Sequence, residues 1–312
     1  MEFPAARPAL IGAALACAVA LSGTASGAAC ATPWAHPGTV PSAGAPSEPV
    51  RASGEAAVEA VGRQAADRDA LLAEAVRALP AEDGAQVSVA VLDLDSGASA
   101  AHGEGAFDTA SIVKVDILAA LLLKAQDARR DLTAAEKSYA AAMIERSDND
   151  SASALWRTIG GAKGLKAANE RFGLTGTEGG EGMLWGLTRT TAADQLVLLR
   201  QVFEEDSELS AASRAYLQKL MGRIADGQRW GVSAAGDGAA GALKNGWLPR
   251  SATGLWNINS IGRVTVDGRA FLVAVLSDGN TTKQKGVSLV ESAACAAVSV
   301  FTDGARAFAA DV

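Results

Sequence analysis

The chain has 312 residues, 49% hydrophobic and 20% charged, with a formal net charge of −7. This composition suits one large domain or two lobes with a sizeable core. The acidic balance and the lack of any basic run argue against a nucleic-acid surface, which concentrates Lys and Arg on one face. Two histidines and three cysteines are too few for a zinc site of hydrolase type, and no Gly-Lys-Ser/Thr phosphate loop occurs. No metal or cofactor is therefore expected.

Residues 1–31 read as an export signal: Arg7 and the α-amino group, an apolar stretch from Ala9 to Leu21 too short to span a membrane, then small residues. Cleavage after Ala28, Ala29 or Ala31 is one outcome. Gly27-Ala28-Ala29-Cys30 also resembles a bacterial lipoprotein box, with Gly27 where Leu is usual, so lipid attachment at Cys30 is the other. A secreted or extracytoplasmic protein is expected, touching a membrane only through such an anchor. Residues 32–51 hold Pro33, Pro37, Pro41, Pro46 and Pro49 among Gly, Ser and Ala, the composition of a disordered tether.

The folded domain is expected over 52–312. A helical pattern runs from Ala52 to Leu79, with Leu71, Leu72, Ala75 and Val76 on its apolar face. Val87 to Leu92 is strand-like, Asp95-Ser96-Gly97 a turn, and Ala98 to His102 a return strand. From about 111 to 222 the pattern is almost wholly helical, including Leu132 to Ile144, Ser151 to Ile159 and Thr191 to Phe203. Strand signals return at Gly241 to Trp247, Leu255 to Val266 and Ala270 to Ser277, the last two joined by the hairpin turn Asp267-Gly268. A final helix spans roughly Val287 to Phe301. Within it Cys295 reads as a small buried hydrophobe, and no disulfide framework is expected. Strands at both ends with helices between make an α/β chain of α+β type. Its antiparallel sheet is built from sequence-distant pieces, with the terminal helices on one face and a helical lobe inserted.

Ser111 and Lys114 stand three residues apart at the head of the apolar run Ala110 to Leu123, so one helical face carries both. A serine beside a buried lysine is a nucleophile with its base. The pair alone is weak, since roughly one Ser-x-x-Lys is expected by chance in such a chain. Ser147-Asp148-Asn149 follows the helix ending near Ile144, and Lys244-Asn245-Gly246 lies on a strand. Each has a plain reading as well: helix caps for Ser111 and for Ser147 to Asn149, a solvated strand lysine for Lys244. A Ser-His-Asp triad is disfavoured, because His36 lies in the tether and His102 near the hairpin. Gly231-Val232-Ser233-Ala234-Ala235 lacks the second glycine of a nucleophile elbow.

Ser-x-x-Lys, Ser-Asp-Asn and Lys-x-Gly in this order, with Thr190-Thr191-Ala192-Ala193 opening a helix, resemble the penicillin-recognising serine enzymes, nearest to class A β-lactamases. The resemblance covers roughly residues 52–305. It implies the β-lactamase-like fold, with a five-stranded antiparallel sheet, and an exported monomer acting on a small β-lactam or a D-Ala-D-Ala-like peptide. It also implies roles: Ser111 is acylated, Lys114 takes its proton, and Ser147 passes a proton to the leaving nitrogen. Asn149 holds Lys114 and the substrate amide, Lys244 and Asn245 receive the substrate carboxylate, and the backbone N–H groups of Ser111 and Trp247 form the oxyanion hole.

Two departures matter. Asn245 replaces the hydroxyl residue of the usual Lys-Thr-Gly, and no Glu-x-x-Leu-Asn occurs between Gly161 and Thr190. Glu178 and Glu181, in a glycine-rich stretch, either activate the deacylating water or are solvated loop carboxylates. The large ring of Trp247 either stacks on a ligand or packs at the rim. Three functions therefore stay open: a β-lactamase-like hydrolase, a D,D-peptidase or penicillin-binding-type acyl transferase with slow deacylation, and a non-catalytic wall-associated or β-lactam-sensing module.

Overall fold

In the computed structural model, residue 64 and residues 67–238 and 241–310 are described, the side chains of 303–310 excepted. The export signal, Cys30, the tether and most of the first half of the 52–79 helix lie outside the described residues. The rest of that helix, α1, covers 67–77 and buries Leu72 and Val76, while Leu71 faces solvent.

The runs richest in Val, Ile and Leu form the middle of one sheet, as β-propensity and burial on both faces require. Its strands are β1 (Gln86–Asp93), β2 (Ser99–His102), β5 (Ala242–Pro249), β6 (Trp256–Val266) and β7 (Arg269–Asn280), between which the two-residue strands β3 (Phe107–Asp108) and β4 (Arg189–Thr190) make a separate pair. The five-stranded sheet is antiparallel in the order β2-β1-β7-β6-β5. β1 pairs with β7 from Gln86↔Asp278 to Asp93↔Phe271. Asp267 and Gly268 take φ values of 50° and 77°, left-handed at both positions as a tight β6-β7 hairpin demands.

Alternation along the strands divides the core in two. Val89, Val91, Phe271, Val273 and Val275 pack with α1 and with α8 (Lys283–Ala310), through Val290, Ala293, Ala294 and Ala297. Ala90, Leu92, Leu272, Ala274 and Leu276 face the helical lobe. Cys295 corrects an expectation: it falls off the inward stripe of α8 and is exposed.

The lobe comprises α2 (Val113–Asp127), α3 (Ala134–Glu145), α4 (Asn149–Ile159), α5 (Gly161–Phe172), α6 (Ala192–Phe203) and α7 (Ala211–Met221). Local sequence sets its boundaries. Thr133 and Glu136 form a reciprocal capping box on α3, and Asp148, Thr191 and Ser210 cap α4, α6 and α7. α2 is the lobe's central helix, buried along nearly its whole length.

Buried in α2 is also Asp116, beside Gln195 of α6, whose Oε1 has no hydrogen-bond partner. Burial pushes the Asp116 carboxyl up to about 7, against the smaller pull of the Gln195 amide. An acid raised in the fold stabilises fully below its unfolded pKa and loses that contribution as pH rises through the folded value. Asp116→Asn should therefore raise stability by about 2–4 kcal/mol at pH 8 and leave it nearly unchanged at pH 3.5. Thermal melts of the two proteins at both pH values measure this; equal gains at both would refute it.

Candidate active site

Ser111 does not open the α-helix as its periodicity suggests. It sits in a 3-10 turn, Ala110–Ile112, immediately before α2. Ala110 has φ 48°, a left-handed conformation that costs an L-residue about 1–3 kcal/mol and persists only when its surroundings over-determine it. They do so here from two sides. Asn259 of β6 donates through Nδ2 to the carbonyls of Asp108 (2.9 Å) and Thr109 (3.0 Å), and the Thr109 N–H donates to the Thr188 carbonyl (2.8 Å).

From that turn the first residues of α2 run under the helical lobe, so Lys114 is fully buried. Its Nζ lies 2.9 Å from Ser111 Oγ, 2.7 Å from the Ser147 carbonyl, 3.0 Å from Ser147 Oγ and 2.8 Å from Asn149 Oδ1. Burial drives its pKa down to about 7, with the Asp148 charge pulling the other way. Ser147 reaches this position through its own left-handed backbone, φ 57°. The Ser151 N–H then donates to Asp148 Oδ1 (2.7 Å) and starts α4. Asp148 is thus the cap of the Ser-Asp-Asn stretch, while its neighbours face the lysine.

Lys244 of β5 meets the same hydroxyl from the sheet side. Its Nζ is 3.2 Å from Ser147 Oγ and 2.9 Å from the Asn245 carbonyl. Burial and the nearby Lys114 hold it well below the ordinary lysine range. One hydroxyl therefore bridges two buried amines. Gly246 packs on the Ser111 turn so closely that a Cβ there would lie 2.6 Å from the Thr109 carbonyl oxygen and 2.8 Å from the Ser111 nitrogen.

Two expectations are corrected, those for Asn245 and Trp247. Asn245, expected to receive a carboxylate, has no donor left: Nδ2 donates to the carbonyls of Gln228 (2.7 Å) and Trp230 (2.9 Å), and Oδ1 accepts from Ser260 Oγ (2.6 Å). Its side chain alternates to the opposite face of β5 from Lys244 and ties down the 228–232 segment. The Trp247 ring also lies on that side, 6.0 Å from the Trp230 ring, with Lys283 Nζ 4.2 Å from its centroid. It packs behind the strand. For Glu178 and Glu181 the exposure of both fits the second of their two readings, solvated loop carboxylates; the charge of Glu178 is felt at Lys166 on α5, and its backbone bridges Arg189.

The residue of this segment that does reach the site was missed. The Trp185 ring centroid lies 5.0 Å from Lys114 Nζ, and its Nε1–H donates to Ser153 Oγ of α4 (3.1 Å). A lone tryptophan in a glycine-rich stretch was the available signal.

Ser111, the buried amine and the bridging hydroxyl converge on this fold, and residues 71–137 and 135–301 match the family described as "Beta-lactamase enzyme family". The chain belongs to this β-lactamase family. Comparison with curated proteins gave no match. Among solved structures it is similar to PBP-A, at 21% identity over 75% of this chain and 96% of that one, with a TM-score of 0.65. It is similar also to the TLA-1 extended-spectrum β-lactamase (18%, 75% and 99%, TM-score 0.66). A third is a class A β-lactamase from Bacteroides cellulosilyticus (16%, 76% and 99%, TM-score 0.66). At these identities the likeness is one of fold.

Within this fold, Gly246 fixes the distance between β5 and the Ser111 turn. Gly246→Ala should destabilise the protein by about 1–3 kcal/mol, the usual cost of overpacking a closed contact. Thermal melts of the two proteins provide the check; an unaltered melting temperature would show the contact to be slack.

Proposed function

We propose that this protein is an exported serine hydrolase of the β-lactamase family that forms an acyl-enzyme on Ser111 with β-lactams or related D-Ala-D-Ala-like amides. One observation carries the reading: a buried lysine amine, brought down to about 7, lies 2.9 Å from the Ser111 hydroxyl. A neutral amine has two N–H donors and one lone pair. The Ser147 carbonyl and Asn149 Oδ1 can only accept from it, which leaves the lone pair for a hydroxyl proton.

In the proposed first step Ser111 Oγ bonds to the amide carbonyl carbon as its proton passes to Lys114. The C–N bond then breaks, and the leaving nitrogen takes a proton from Ser147 Oγ, which recovers one from Lys114. The backbone N–H groups of Ser111 and Trp247 would stabilise the oxyanion. Lys244, costly to keep charged in a buried site without a counter-ion, would be charged when a substrate carboxylate arrives. In deacylation, water adds to the ester carbon, the C–Oγ bond breaks, and the proton lost by the water is returned to Ser111 Oγ.

The geometry favours the slow form of this last step, the penicillin-binding type. The carboxylate acting on Lys114 is Asp148, the α4 cap, and the Trp185 ring lies 5.0 Å from the amine. A PBP-A variant in the same fold is described as an acyl-enzyme complex with penicillin G. Export is supported by the leader and proline-rich tether, and the mass of the mature N-terminus tests it, including lipid at Cys30.

Ser111→Ala should abolish covalent labelling by a fluorescent penicillin on denaturing gels; surviving label would move the nucleophile elsewhere. The acylation rate should climb with pH through about 7 and then level, because only the neutral amine accepts the proton. A profile flat from pH 5 to 8 would exclude Lys114 as the base. Stable label without nitrocefin turnover fits the slow reading, and rapid turnover overturns it.

A further inference from the structure

We propose that the Trp185 ring is the cover of the amine side of the site, holding water off Lys114 and off the ester formed at Ser111, so that the lifetime of the acyl-enzyme is set by this one side chain. The inference deepens the proposed function and rests on it for its kinetic consequence.

The segment 178–187 sorts its side chains sharply. Glu178, Glu181, Met183 and Leu184 are exposed, while Trp185 turns inward against the lobe core. Its position is built, not incidental. The Trp156 indole N–H donates to the Gly182 carbonyl (2.8 Å), and the Gly180 N–H donates to Thr188 Oγ1 (3.2 Å). A Cβ on Gly180 would meet the Leu184 carbonyl oxygen at 2.1 Å, so the segment crosses itself where only glycine fits. The Thr188 N–H donates to the Trp185 carbonyl (3.1 Å), and the Thr188 carbonyl accepts from Thr109, two residues before Ser111. The ring is thus fastened to α4 through Ser153 and, through Thr188, to the nucleophile's own turn.

Two effects of the ring oppose each other. A π-face beside an amine favours the ammonium, whereas the exclusion of water favours the neutral form. Lys114 is fully buried with the ring 5.0 Å from its amine, so the ring is placed to act as a barrier. Deacylation needs a water within reach of both the ester carbon and a proton acceptor. The water oxygen bonds to that carbon, its proton goes to the acceptor, and Ser111 Oγ leaves with a proton returned. The acids of the 178–187 segment, Glu178 and Glu181, are exposed, whereas its Trp185 ring lies beside Lys114. Removing it admits water beside Lys114, which then has the lone pair to accept the proton.

The test uses the mature protein with Trp185→Ala and Trp185→Phe, and two readouts. The first is the acyl-enzyme lifetime after a penicillin G pulse, followed by intact mass. Trp185→Ala should shorten it at least tenfold, and Trp185→Phe should stay within threefold of the parent. The second is acetylation of Lys114 by trace acetic anhydride at pH 8, read by peptide mass. It should rise at least tenfold in Trp185→Ala and stay near the parent level in Trp185→Phe. Unchanged Lys114 labelling in Trp185→Ala overturns the cover, and so does rapid deacylation by the parent. The labelling readout needs no acylation of Ser111, so a chain that never acylates defeats the proposed function while the cover is still judged. If Trp185→Ala melts below the assay temperature, Trp185→Leu, which keeps apolar packing without the ring's reach, carries the same two readouts.

Discussion

A buried amine hydrogen-bonded to hydroxyl, carbonyl and amide oxygens rather than to a carboxylate is the constraint around which this site is arranged. An isolated ammonium in such a place is expensive, and Lys114 resolves the conflict by approaching neutrality and by resting on uncharged dipoles, the Ser147 carbonyl and the Asn149 amide. Those dipoles must be held with accuracy. That requirement explains the left-handed backbone at Ser147, the Asp148 cap that starts α4 immediately afterwards, and the packing of α2 against α4. Lys244 faces the same problem from the sheet, and the two amines meet at one hydroxyl.

Much of this was legible in the residues themselves. The strands β1, β6 and β7 are runs of β-branched and apolar residues, Asp267-Gly268 is a hairpin by its own backbone chemistry, and α3 begins where Thr133 and Glu136 say it should. The order of the three motifs carried Ser111, Lys114, Ser147, Asn149 and Lys244 to one place. In each case local propensity and the global fold agree, as a sequence with a single preferred structure requires.

The misreadings share a cause. Residue type alone does not orient Asn245, Trp247 or Cys295: their directions are decided by which face of β5 or α8 they occupy and by partners distant in sequence, Gln228, Trp230 and Lys283 among them. For Glu178 and Glu181 residue type leaves two readings open, a water-activating base or a solvated loop carboxylate, and their exposure fits the second. The loop follows its glycines and two indole hydrogen bonds, which turn a tryptophan inward and the acids outward. Ala110 is silent in sequence, because its strain is imposed by Asn259 and Thr188 from outside the motif.

The sheet's layout has a further consequence for how the molecule comes into being. Its middle strand, β7, is the last to be synthesised, and Glu82 beside β1 grips Thr281 across 199 residues of sequence. Contacts of such range close slowly, because a long loop must be ordered before it is rewarded. The turn that carries Ser111 takes its conformation from β6, 150 residues further on. A chain synthesised only as far as α7 therefore lacks β5 and β6, and with them Lys244 and the Asn259 donor that hold Ser147 and the Ser111 turn. The cluster is complete only when almost the whole polypeptide is present.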